Sequence, residues 1–186
     1  MGFFISFIPT PFEDIDTFFK LAPVSNVDIV YDLGSGDGRL LFAALEKGAG
    51  KTVGVELDPK LAHEAKKMVE EKGFEGKVTF LEADVMDVNL SDATLVLCYL
   101  FPTASEALKP KFELELKPGT RVVMESFPID GWKPVKTEMF GYKTFYLYVM
   151  PPETVEQNEQ ETPLELDTDE LQIFRTLMFT LLNVII

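Results

Sequence analysis

From residue 27 onward the apolar residues fall into short β-rich runs, and the stretches between them repeat their apolar positions every three or four residues. The runs predict strands at 28–33, 52–57, 78–81, 93–98 and 121–125. The intervening stretches predict helices at about 39–47, 59–72 and 103–116. Such alternation argues for a parallel sheet covered on both faces, a doubly wound α/β domain whose ligands bind at the carboxyl ends of its strands. After residue 125 the rhythm breaks: Trp132-Lys133-Pro134 stands where the next helix would be, and 137–139, Gly141 and 143–150 read as a hairpin. The predicted sheet is mostly parallel with a final antiparallel strand.

Upstream, Thr10-Pro11-Phe12-Glu13 reads as a helix start, with Thr10 as N-cap, Pro11 at the first helical position and Glu13 completing a capping box. Phe12, Ile15, Phe19 and Ala22 then form one apolar stripe. Downstream, residues 151–170 are rich in Glu, Gln, Thr and Pro and read as a solvated acidic linker. In the closing LQIFRTLMFTLLNVII, Leu171, Phe174, Met178, Leu181 and Ile185 share one helical face. That segment carries Arg175 and is shorter than the ~20 residues of a membrane span. Docking on the domain, self-association and a peripheral membrane contact stay open for it, and with them a monomer or a tail-mediated oligomer. The expected organisation is an N-terminal segment and helix (1–26), a core (27–150), a linker (151–170) and an apolar C-terminal helix (171–186).

A chain of 186 residues, 46% apolar, can bury one substantial core. Its 31 acidic against 17 basic residues give a net charge of −14, which argues against nucleic acid as a partner and favours cationic ones. Cys98 has no second cysteine to pair with, and His63 stands alone, so no disulfide or Cys/His metal site is expected; a cytoplasmic setting fits. The apolar start lacks the basic region and cleavage site of a signal peptide and is read as mature sequence.

The strongest chemical signal is VYDLGSGDGR at 30–39, a glycine turn where a strand gives way to a helix. Such a turn brings backbone N–H groups against a ligand. Gly34, Gly36 and Gly38 are spaced G-x-G-x-G, not the G-x-G-x-x-G of dinucleotide-binding folds. Asp32 at the strand end is placed to organise the turn and to meet the ammonium of an amino-acid-like ligand. Glu56, ending the second strand, can accept from both ribose hydroxyls of a nucleoside, and Asp84, after the third, from an exocyclic adenine amine, with the Val85 N–H offered to a ring nitrogen. Asp58 before Pro59 reads as a helix cap, Cys98 as a buried small hydrophobe, and His63 as a solvent-facing helix residue.

This constellation resembles class I, Rossmann-like methyltransferases, over about residues 7–150. It is more similar still to the archaeal protein-lysine methyltransferases related to the mitochondrial ATP synthase c-subunit lysine methyltransferase. The segments that carry this likeness are IPTP (8–11), VYDLGSGDGR (30–39), LKPKFELELKPGTRVV (108–123), FPIDGWKP (127–134) and TFYLYVM (144–150). The resemblance implies S-adenosyl-L-methionine as cofactor, held by Asp32, Gly34, Ser35, Gly36, Glu56, Asp84 and Val85 and covered by Thr10 and Pro11. It further implies methyl transfer to lysine side chains of protein substrates. Where many amine or amide methyltransferases carry an Asn-Pro-Pro-Tyr-like tetrapeptide, this chain has Cys98-Tyr99-Leu100-Phe101-Pro102, so an acceptor held by an Asn amide is not supported.

The aromatics after the fourth and fifth strands, Tyr99, Phe101, Phe127 and Trp132, are the candidates for an acceptor channel that desolvates the lysine amine. Tyr99 leads, since its hydroxyl can orient the amine. Methylation of a small molecule or of RNA, and a non-catalytic cofactor-binding scaffold, are the alternative functions.

Overall fold

The computed structural model describes residues 9–155. Five parallel strands form the body of the sheet: β1 (Ile29–Leu33), β2 (Lys51–Glu56), β3 (Val78–Glu82), β4 (Leu95–Cys98) and β5 (Arg121–Glu125). The hairpin of β7 (Lys136–Phe140) and β8 (Lys143–Val149) completes it in the order β3-β2-β1-β4-β5-β8-β7, with β8 antiparallel to both neighbours. The strand order reverses between β1 and β4, which opens a crevice at their carboxyl ends. β4, Leu-Val-Leu-Cys, is buried at every position, as a central strand covered on both faces must be.

Alternation along the strands sends two sets of side chains to two cores. On one face, helices α1 (Phe12–Leu21) and α2 (Arg39–Glu46) cover Val30, Leu95, Leu97, Val123, Phe145 and Leu147. Helix α3 (Pro59–Lys72) packs Ala65 and Val69 with Leu41, Phe42 and Phe80. On the other face lies α4 (Pro102–Glu115), whose Leu108 and Phe112 meet Cys98, Val122, Met124 and Tyr148. Two irregular segments, through Val88 and Leu90 and through Ile129 and Trp132, complete that cover.

Within the described residues the predicted strands and helices are all present, with ends moved by one or two residues. Three expectations are corrected. Thr10 does not cap α1: Pro11 occupies the cap position with no side-chain bond, and the buried Thr10 uses its carbonyl to accept from Arg39 Nη1 at 2.7 Å. Of the predicted stripe, Ile15, Phe19 and Ala22 are buried, but Phe12 is exposed beside the Arg39 guanidinium, and the buried face extends instead to Phe18, which stacks edge-on against Phe145. Finally, the linker does not begin at 151. The two-residue strand β9 (Glu153–Thr154) pairs with β6 (Trp132–Lys133), satisfying backbone groups that the missing helix leaves free.

Asp58 caps α3 as expected, its carboxylate accepting from the Lys60 N–H at 2.8 Å; Cys98 is buried and His63 exposed. The described residues all fall in one compact unit, which ends at Val155. The predicted apolar C-terminal helix and most of the linker lie outside the described residues. No helix among the described residues is long and apolar enough to cross a membrane.

Candidate functional site

The glycine turn leaves β1 with its backbone folded against β2. The N–H groups of Gly34 and Ser35 both donate to the Val55 carbonyl, at 2.9 and 3.0 Å, and the Gly38 N–H closes the turn on Ser35 O. Gly34 and Gly38 hold φ of 79° and 80°, the left-handed region. A Cβ at Gly34 would lie 2.8 Å from Leu100 Cδ2, and one at Gly38 would lie 2.5 Å from Phe80 Cζ. Both conformation and space therefore demand glycine. The turn runs into α2, at whose start Arg39 grips the Asp37 carboxylate and reaches back to Thr10 O. That bond brings the Thr10-Pro11 segment to the turn.

Glu56 does more at this turn than the sequence indicates. One carboxylate oxygen accepts from the Gly36 N–H at 2.8 Å and the other from the Asp58 N–H at 2.9 Å, which ties the glycine turn to the end of β2. A carboxylate has about four lone-pair sites, so two acceptor positions remain. Asp84 is exposed after β3, with one oxygen closing a local turn onto the Met86 N–H. Its loop is anchored from α4, where Lys111 donates to Met86 O and Glu115 accepts from the Leu90 N–H.

Asp32 stands at the mouth of the crevice and is 3% exposed. Its carboxylate makes no hydrogen bond among the described residues. Burial, with repulsion from Glu56, Asp37 and Glu125, pushes its carboxyl up to about 8. Only a nearby cation would hold such an acid in its charged form at neutral pH.

Strand parity places Asp32, Leu97, Tyr99, Glu125, Phe145 and Lys143 toward the α1–α2 face. Here lies a group that the sequence reading missed. Lys143 Nζ, buried, donates to Asp14 of α1 at 2.6 Å and to Glu125 at 2.5 Å, and it lies 5.0 Å from the centre of the Tyr99 ring. Both carboxylates are buried, and the second Glu125 oxygen, Oε2, has no hydrogen-bond partner among the described residues. Burial also raises the Tyr99 hydroxyl above its usual range, with Lys143 acting in the opposite direction. Beyond Glu125 the chain turns sharply: Ser126 has φ 69°, and the Phe127 N–H donates to Glu125 O at 2.9 Å, a γ-turn. A non-glycine residue held there is strained, as backbone at functional sites often is.

Of the four aromatics expected around an acceptor, Tyr99 lies in this cluster, while Phe101 (44% exposed) and Phe127 (half-buried) follow the ends of β4 and β5. Trp132 is corrected. It is buried in the opposite core between Phe112 and Tyr148, with its indole N–H on Glu113, because the short β6 carries it to the α4 side of the sheet. One signal in the sequence pointed to Glu125: an acid closing an apolar strand, as Asp32 and Glu56 do. Nothing local pointed to Asp14 or Lys143.

The family model of the ANTKMT methyltransferase domain matches residues 32–136. A protein-lysine N-methyltransferase of Saccharolobus islandicus is 41% identical over 151 residues, covering 78% of this chain and 94% of its own. The adenine nucleotide translocase lysine N-methyltransferase of mouse is 38% identical over 117 residues; the match spans 63% of this chain but 51% of the mouse protein. Among solved structures, an RNA methyltransferase from Salinibacter ruber, crystallised with S-adenosyl-L-homocysteine, is 37% identical with a TM-score of 0.76 over 80% of this chain and 97% of its own. A glycine turn with its acids at successive strand ends, the doubly wound sheet and these matches agree, and the chain belongs to the ANTKMT methyltransferase-domain family.

Proposed function

We propose that this chain is an S-adenosyl-L-methionine-dependent protein-lysine N-methyltransferase. The observation that carries the cofactor assignment is Asp32, a buried carboxylate with no basic side chain bonded to it among the described residues, at the mouth of a turn where Gly34 and Gly38 leave no room for a Cβ. Lysine as acceptor is supported by the names that the archaeal and mouse relatives bear.

When bound, the cofactor supplies a methyl group already activated on a sulfonium. In this reading Asp32 takes the cationic amino-acid end of the ligand, and Gly34, Ser35 and Gly36 bring the backbone close. The acceptor positions that Glu56 keeps free take the ribose hydroxyls. Asp84, whose second oxygen is free of its local turn, and the Val85 N–H take the adenine edge. Thr10 and Pro11, tied down through Arg39, cover the ligand. Free lysine is protonated at neutral pH, with a reference pKa of about 10.4, so the acceptor must lose a proton before it can react. Tyr99, Phe101 and Phe127 form the walls that exclude water around it, with one face of the Tyr99 ring under Lys143 Nζ.

Incubation of the protein with a cell lysate and labelled S-adenosyl-L-methionine, followed by mass spectrometry, is expected to place methyl groups on lysine side chains of proteins. Label confined to RNA would instead favour the activity named for the Salinibacter relative, against which the −14 charge argues.

A further inference from the structure

The Asp14–Lys143–Glu125 cluster has more acid than base. Two buried carboxylates share one ammonium, which leaves the group one negative charge in excess, and among the described residues Glu125 Oε2 is left without a partner. A buried ionised oxygen without a donor is costly and calls for a second cation. Glu125 faces Lys143 from β8, Asp14 from α1, Asp32 from β1 and Tyr99 after β4; the only cation among these is already shared. Lys143 also shows that the Tyr99 ring tolerates an ammonium near it.

We propose that Glu125 Oε2 is the acceptor-amine subsite: it receives the ammonium of the incoming lysine and takes one of its protons. The proposal rests on the reading of this chain as a lysine methyltransferase and names the residue that prepares the acceptor. In the step, one N–H bond of the ammonium breaks, an O–H bond forms at Oε2, and the bonding pair stays on nitrogen as the lone pair that the reaction needs. The charged pair becomes a neutral pair, which a water-poor site favours. Burial holds the Glu125 carboxyl above its usual range, although Lys143 opposes this, and that brings it closer to matching an amine. Lys143, itself held by Asp14, acts as a positioning residue that fixes the Glu125 rotamer through the other oxygen, Oε1.

The probe is a peptide centred on a lysine that the lysate labelling identifies, titrated into the full chain saturated with S-adenosyl-L-homocysteine. If Oε2 keeps the proton within the complex, binding neither takes up nor releases protons, and peptide affinity is flat from about pH 7.5 to 9, below the ~10.4 of free lysine. In Glu125→Gln the amine must arrive neutral, so affinity rises about tenfold per pH unit over the same range. Cofactor affinity stays as in the unaltered protein, which also shows that the variant is folded.

An unaltered chain whose peptide affinity itself climbs tenfold per unit overturns the proposal without any variant. So does a Glu125→Gln protein with a flat profile, or one in which cofactor affinity falls while peptide binding is retained. If the unaltered chain labels no lysine at all, the lysine reading fails first and this inference with it. Lysine labelling with an unchanged Glu125→Gln profile removes the inference alone.

Discussion

Asp32 is held in the folded chain at a cost to stability that depends on pH. Its carboxyl is pushed up to about 8 from an ordinary 3.8, so between roughly pH 4 and 8 the folded state keeps a proton that the unfolded chain has released. Its contribution therefore becomes less favourable as pH rises through that window, and the penalty is complete above about pH 8. Asp32→Asn should melt higher than the unaltered protein at pH 8.5, by a gain of at least ~1 kcal/mol that vanishes near pH 4. If Asp32 holds the cationic end of the cofactor as proposed, the same variant should lose about 100-fold or more in S-adenosyl-L-methionine affinity by titration calorimetry. A variant with neither the pH-dependent gain nor the loss of affinity would remove Asp32 from the site. Stability sacrificed at one buried acid is the expected cost of keeping a cation site ready.

At the scale of elements, the turn between β1 and α2 concentrates the constraints. Gly38 caps α2 in the left-handed region, and a methyl there meets the Phe80 ring from β3 at 2.5 Å. Gly38→Ala should cost ~1–2 kcal/mol for the backbone alone, with a further cost as Phe80 yields. Thermal melts should show the loss, and calorimetry a weaker cofactor, since the displaced turn carries Gly36 away from Glu56. Adding Phe80→Leu should recover part of the stability lost to crowding but none lost to φ. The N-terminal segment is held by two side chains of opposite kind: Arg39 ties Thr10, just ahead of α1, to this turn, and Asp14 from within α1 reaches Lys143 of β8. Its polar Asp14 sits on the buried face for that reason, so the buried face extends past the Ile15, Phe19 and Ala22 that an apolar stripe alone picks out.

For the whole molecule, every residue assigned to the cofactor, and the Tyr99–Glu125 cluster, lies within the unit Met1–Val155. We propose that this unit is the methyltransferase domain and that residues 156–186 serve another purpose. A chain ended after Val155 should fold cooperatively and bind S-adenosyl-L-methionine within about threefold of the full chain, under ~0.7 kcal/mol. A larger loss would show that the tail supports the site.

Periodicity, the glycine spacing and the acids at strand ends were enough to predict the doubly wound sheet, its final antiparallel strand and the rim on which Asp32, Glu56 and Asp84 stand. These features are local: a strand or a helix declares itself through side chains two, three or four residues apart, and a turn through its own glycines. The Lys143 cluster joins residues 129 and 18 positions apart in the chain. Its members meet only because β8 inserts beside β5 and α1 folds over both. Trp132 shows the same limit from the other side, since its place after β5 suggested the acceptor rim and the chain path put it in the opposite core. Local pattern determined which elements form and where the cofactor turn lies. Only the tertiary structure, through strand order and parity, decided which charges share one buried space and which aromatic faces can meet a substrate.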